Sequence, residues 1–287
     1  MAGSATPDRL RPLWLTETYP PSRGGMAQSC DRIVRGLRDE GVTVDVVHFT
    51  RRARAPWVIE EQRRGSYLGC LLDADHAHGL NRAWNAVRAT ASANTHVVSF
   101  GGFLPLLAGP VYAAWLGIPH IALIRGNDFD TGVFSARGRE VLNDALSRSE
   151  LVCGVSRDKV ERIAALHPGV QVVRIANGID LDEWAFAPSD VERARAWRTT
   201  TVAAGRRVIG VFGQLKRKKG GVFFLDSLLR SGRAGEVHIV MAGELDPEMD
   251  AWLAEHSLDH TLLPFLDRHE LLPWYAACDF VAIPFLL

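Results

Sequence analysis

Apolar runs recur along the chain, and helical patterns fill the intervals between them. Residues 13–15 form a short run and 42–49 a long one rich in valine. Others lie at 96–100, 120–124, 151–155, 171–175, 208–212, 237–241, 261–265 and 280–283. Most are continuous rather than alternating, as strands covered on both faces require. Met26, Cys30, Ile33, Val34 and Leu37 fall on one face of a helix, and Gly41 follows as its stop. Strand, helix and strand in repetition predict parallel sheets with right-handed crossovers.

The pattern lapses once, over the polar stretch 179–207, and resumes at Val208. This predicts a first domain over 1–178, a connection over 179–207 and a second domain over 208–287. The fold class expected is α/β, two Rossmann-like doubly wound parallel-sheet domains. The second is short for such a sheet and reads as incomplete. Residues 103–124 carry no Asp, Glu, Lys or Arg and are long enough to span a bilayer. Pro105, Gly109, Pro110, Gly117 and Pro119 interrupt them, so the expectation is a buried helix, a turn and a buried strand.

Lys plus Arg equals Asp plus Glu at 33 each, which argues against a nucleic-acid partner. Cys30, Cys70, Cys153 and Cys278 are far apart and form no CxxC pair, so neither a zinc site nor a disulfide framework is expected. The polar N-terminus lacks the apolar core of a signal peptide, and a cytoplasmic location is expected.

Four loops carry candidate chemistry. Residues 20–26 follow the first strand and open the first helix through Gly24 and Gly25. Glycine there lets a ligand approach the backbone, and the helix N-terminus offers N–H groups to an anion. A plain turn needs glycine too, and the GxGxxG dinucleotide fingerprint is absent. Residues 208–221 repeat the arrangement with Gly213, Gln214 and Gly220, and hold Lys216, Lys218 and Lys219, three of the chain's four lysines. That favours phosphate over a merely solvated basic loop. No Walker A spacing accompanies them. Arg125, Asn127, Asp128 and Asp130 crowd the loop after residues 120–124, which is either a site at a strand end or an Asx turn. Asn177 and Gly178 mark a turn beside the domain boundary. Weaker features are the basic stretch 51–57, the pair His76 and His78 without metal spacing, and Glu60, Glu61, Asp73 and Asp75, which form no marked acid/base pair.

These segments together resemble a GT-B glycosyltransferase of family 4. The resemblance rests on YPPSRGG at 19–25, VS at 155–156, NGID at 177–180, GQLKRKKG at 213–220 and LPWYAACDFVAIP at 272–284, in the family's order. It implies transfer of a hexose from a nucleotide-diphosphate sugar to an acceptor hydroxyl, with retention, no metal and no cofactor. The donor, a UDP- or GDP-sugar, would lie in an inter-domain cleft. Its binding residues would be Gly24, Gly25, Asn177, Gly213, Gln214, Lys219 and Gly220, with Arg125 and Asp128 as catalytic candidates. Many members have arginine where Gln214 stands, and histidine in the loop where Arg125 stands. The family's E-x7-E signature would follow Pro284 and is not within these residues, so the chain reads as C-terminally truncated. The expected acceptor is a glycan or glycolipid, with peripheral contact through 51–57 at the inner face of the membrane. Two alternatives remain: a catalytically dead donor-binding module, or a nucleotide-sugar epimerase of the same fold.

Overall fold

The structure, a computed structural model, describes residues 10–22, 24–51, 57–72, 75–213, 215 and 219–284. The chain divides into two compact units, Met1–Gly178 and Ile179–Leu287. Strands of the first are β1 (Pro12–Thr16), β2 (Asp45–Thr50), β3 (Trp57–Gln62), β4 (Gly65–Leu71), β5 (His96–Phe100), β6 (His120–Ile124), β7 (Leu151–Gly154) and β8 (Val172–Arg174). Its helices are α1 (Gly25–Asp39), α2 (His76–Val87), α3 (Phe103–Leu116), the short α4 (Asn127–Asp130), α5 (Ala136–Ser147) and α6 (Arg157–Leu166).

The sheet order is β3-β4-β2-β1-β5-β6-β7-β8, parallel except for the β3–β4 hairpin. Side chains alternate across it. Leu13, Leu15, Val47, Phe49 and Val97 join one apolar cluster with Ala83 of α2 and Ala108 of α3. Trp14, Val46, Val98 and Phe100 point the other way and pack with Cys30 and Val34 of α1. Both faces are therefore covered, as the continuous apolar runs require. Residues 103–124 form α3 and β6, joined at Gly117 in the left-handed conformation (φ 65°). Among the described residues no helix is long and apolar enough to cross a membrane.

One expectation changes, and one hairpin appears where no strand was expected. The run 42–49 begins as a strand only at Asp45, because Val42 N–H closes the end of α1 on Leu37 O and Val44 N–H bonds Arg64 O. The stretch around Glu60 and Glu61, where no apolar run marks a strand, forms the β3–β4 hairpin at the sheet edge. Its acidic residues and Gly69 weaken the apolar signal that a central strand would carry. Its turn needs glycine at 65 (φ 126°), where a Cβ would stand 2.1 Å from Val44 O.

The second unit holds β9 (Arg207–Phe212), β10 (Val237–Ala242), β11 (His260–Leu263) and β12 (Phe280–Val281) in the order β11-β10-β9-β12, all parallel. Helices α8 (Gly221–Arg230) and α9 (Pro247–Glu255) cover one face through Leu225, Met249 and Trp252. The stretch 179–207 carries a helix, α7 (Pro188–Thr201), which packs on α10 (Arg268–Ala277). The contact is Trp197 against Trp274, with ring centroids 5.2 Å apart. Arg198 adds bonds to Ala277 O at 2.7 Å and to the Asp279 carboxylate at 3.0 Å. Of α7 only Ala194 is buried, so an aliphatic periodicity could not announce it.

Two buried histidines set a pH limit on the fold. His120 is gripped by Ser99 Oγ at 2.8 Å and Ser149 Oγ at 3.0 Å, and His48 by Tyr67 Oη at 2.9 Å. Burial lowers both to about 4, with Arg148 adding to the effect at His120. The unfolded chain binds their protons near pH 6.5 and the folded chain does not, so stability is complete above pH 6.5 and falls as pH drops toward 4. Each shift corresponds to about 3 kcal/mol at the acid end of that window. Urea denaturation between pH 7.5 and 4 should show this fall, with His120→Gln flattening the slope. An equal slope in wild type and variant would refute the assignment to His120.

Candidate functional site

In the first unit β1, β5 and β6 are adjacent parallel strands and β8 follows beyond β7, so the loops leaving their C-terminal ends gather on one side of the sheet. Arg125 leaves the end of β6. It is 8% exposed, and its Nη2 donates to Ser29 Oγ on α1 at 3.0 Å and to Asn177 Oδ1 beyond β8. Its guanidinium carbon lies 5.2 Å from the centroid of the Phe100 ring at the end of β5. Nε and Nη1 are buried without a hydrogen-bond partner among the described residues. Burial pushes the guanidinium below its ordinary value, and Asp128 opposes that shift.

The Asp128 carboxylate folds back on its own loop. It accepts from the N–H groups of Arg125 at 2.8 Å, Gly126 at 2.6 Å and Phe129 at 3.1 Å. Burial raises its pKa and those backbone donors oppose the rise. Its described contacts shape the loop that carries Arg125. The same loop is tied to α6 by an ion pair between Asp130 and Lys159, whose Nζ also lies 5.5 Å from the Phe129 ring centroid.

Gly24 precedes α1 with φ 114° and ψ 166°, a conformation reserved for glycine. Among the described residues no side chain caps the helix start, and its first turn holds no acidic residue. The positive end of the helix is thus open to an anion. A Cβ on Gly101 would lie 3.3 Å from both Met26 Cε and Arg125 Cγ, so the first turn of α1 and the arginine converge there. Met26, expected on the buried face of α1, is 37% exposed at this rim.

Sequence reasoning did not single out Ser29, Phe100, Gly101 or Glu17. Glu17 follows β1 and accepts from Leu104 N–H at 2.7 Å, so it closes the start of α3 from far away in the chain. Burial raises its pKa against the N–H groups of Leu104 and Phe103. The usable signal was a carboxylate immediately after a fully buried strand.

The second unit has its own loop of the same kind. Gly213 (φ 117°) follows β9, and its N–H bonds Ala242 O at 2.9 Å. Gly243 (φ 138°) approaches so closely that a Cβ there would stand 1.9 Å from Gly213 O. The bridge between Leu215 and Leu245 holds the two loops in parallel. Gly220 (φ 67°) precedes α8, which again has no side-chain cap among the described residues and no acid in its first turn. Lys219 is exposed beside it. Gln214, Lys216 and Lys218 lie outside the described residues, as do Arg52, Arg54 and Asp73.

Residues 23–183, more than half of the chain, match the model of the family described as Glycosyltransferase Family 4. No curated protein matches the chain. Among solved structures, Anabaena Alr3699/HepE in complex with UDP and glucose is similar, with a TM-score of 0.68, 18% identity and coverage of 96% of this chain and 74% of that one. The catalytic domain of Starch Synthase IV from Arabidopsis thaliana, bound to ADP and acarbose, gives 0.65, 12%, 97% and 78%. The α,α-trehalose 6-phosphate synthase from Burkholderia multivorans gives 0.62, 12%, 96% and 78%. At these identities the likeness is one of fold.

The two glycines before and at the start of α1 should respond differently to alanine. A Cβ meets nothing within 4 Å at either, so only the backbone separates them. Gly24→Ala should lose about 1–3 kcal/mol, whereas Gly25→Ala, at a helical position, should stay within about 1 kcal/mol of wild type. Urea denaturation of both variants decides. Equal losses would mean that the Gly24 conformation is unstrained for alanine.

Proposed function

Because the chain belongs to glycosyltransferase family 4, we propose that it moves a hexose from a nucleotide-diphosphate sugar to an acceptor hydroxyl, with retention at the anomeric carbon and without a metal. The observation that carries this reading is the buried Arg125 guanidinium with two unpartnered nitrogens, beside the uncapped start of α1. Positive charge and open amides suit a departing phosphate, where negative charge grows during transfer. In the second unit, Gly213 and Gly220 leave the start of α8 accessible, and Lys219 adds a cation for a diphosphate. UDP or ADP in the structures of similar fold supports a nucleoside diphosphate as the donor's leaving group.

In the proposed reaction the bond from the anomeric carbon to the diphosphate oxygen breaks. The acceptor oxygen bonds to the same face of that carbon. The acceptor's proton passes to the departing phosphate oxygen, so no strong protein base is needed. Arg125 and the N–H groups of Gly25 and its neighbours hold charge in place. Asp128 acts by fixing the loop from which Arg125 projects.

Release of nucleoside diphosphate from UDP-, ADP- and GDP-sugars, with glycan or glycolipid acceptors, tests the reading. Arg125→Ala should lower kcat by about 100- to 1000-fold, and chelators should leave the wild-type rate unchanged. Undiminished turnover in that variant would overturn the assignment. Free sugar released without any acceptor would indicate an epimerase-like reaction, and donor binding without turnover a binding module.

A further inference from the structure

Buried charges in proteins are ordinarily paired with an opposite charge. Arg125 departs from this. It is 8% exposed, yet no carboxylate among the described residues forms an ion pair with it. Asp128, the carboxylate that opposes its shift, spends its oxygens on three backbone N–H groups. The acceptors that Arg125 does have are neutral, Ser29 Oγ and Asn177 Oδ1. A guanidinium only donates, so the atom that Asn177 turns toward it must be the amide oxygen. That same oxygen accepts from the Ser29 hydroxyl at 3.0 Å.

The place of Asn177 is set independently of the arginine. Arg32 donates to the Gly178 carbonyl, and Ser29 and Arg32 stand three residues apart on one face of α1. Two contacts from α1 thus hold residues 177 and 178, and the amide oxygen they present aims one edge of the guanidinium. Nε and Nη1 remain without partners among the described residues.

We propose that Asn177 is a positioning residue, an uncharged acceptor that orients Arg125 while leaving its charge uncompensated for the phosphate of a nucleotide-sugar. The proposal rests on the reading that Arg125 takes phosphate charge, and it gives Asn177 a role through Arg125 rather than a contact with the donor. An aspartate in its place would keep the shape and the acceptor oxygen but neutralise the cation.

The test uses the full chain with UDP and UDP-glucose as probes. Asn177→Asp should weaken calorimetric binding of both by about tenfold or more, and its Tm should equal or exceed that of wild type because the buried cation gains a partner. Asn177→Ala should bind the probes within about threefold of wild type, with any loss of turnover falling on kcat rather than KM, since the charge survives and only its aim is relaxed. Equal loss of binding in the two variants would overturn the proposal in favour of direct contact by Asn177. Unchanged binding in both would overturn it as well. If wild type binds no nucleoside diphosphate, the reading of the donor fails instead. The Tm of Asn177→Asp, measured without ligand, still reports whether the charge was uncompensated, and a fall below wild type would count against it. Should Asn177→Asp not fold, Ser29→Asp brings a carboxylate to the other contact and must show the same loss of binding.

Discussion

Burying a guanidinium without a counter-ion costs free energy, and a fold accepts that cost only where the surroundings hold the group firmly. Arg125 is held by a ring face, a hydroxyl and an amide oxygen. Those three groups come from β5, α1 and the turn after β8, each delivered by a different crossover of one parallel sheet. The loop that carries the arginine is closed by Asp128 on its own backbone and tethered to α6 through Asp130 and Lys159. Much of the local architecture at this edge of the first unit can be understood as support for one cation.

Backbone geometry provides the second constraint. The first strand of each unit leaves through glycine at positive φ toward a helix whose start, among the described residues, lacks a capping side chain. Capping by Ser, Thr, Asp or Asn is the usual way to satisfy those amides. Elsewhere the same chain uses it: Asp75, Ser135, Ser156, Asp246 and Asp267 all cap their helices. At α1 and α8 glycine stands in that place instead, and among the described residues no side chain caps their first amides, which leaves them available to an anion.

Legibility varied with the kind of interaction. Central strands β5, β6, β9 and β10 announce themselves as continuous apolar runs because both their faces are covered. The hairpin β3–β4 does not, because an edge strand tolerates acidic residues and glycine. Helix α7 is hidden for a related reason: it docks through tryptophan and arginine rather than an aliphatic stripe. At the site, Arg125, Asp128, Asn177, Gly24 and Gly25 were visible as residue types at strand ends. Ser29 and Phe100 were not, since a serine within a helix and a phenylalanine within a strand look like ordinary packing.

The amino-acid sequence by itself determined the α/β class, the chain order of the glycine-bearing loops and the residues able to carry charge. Those follow from local periodicity and from glycine's freedom at positive φ, which need no distant partner. Tertiary structure alone decided what each charged group does. Asp128 and Arg125 are neighbours in sequence, yet the carboxylate turns to the backbone and the guanidinium to residues on α1 and after β8. Partner choice of that kind depends on which elements the sheet brings side by side, and contacts across about 50 to 100 residues leave no local periodicity to read.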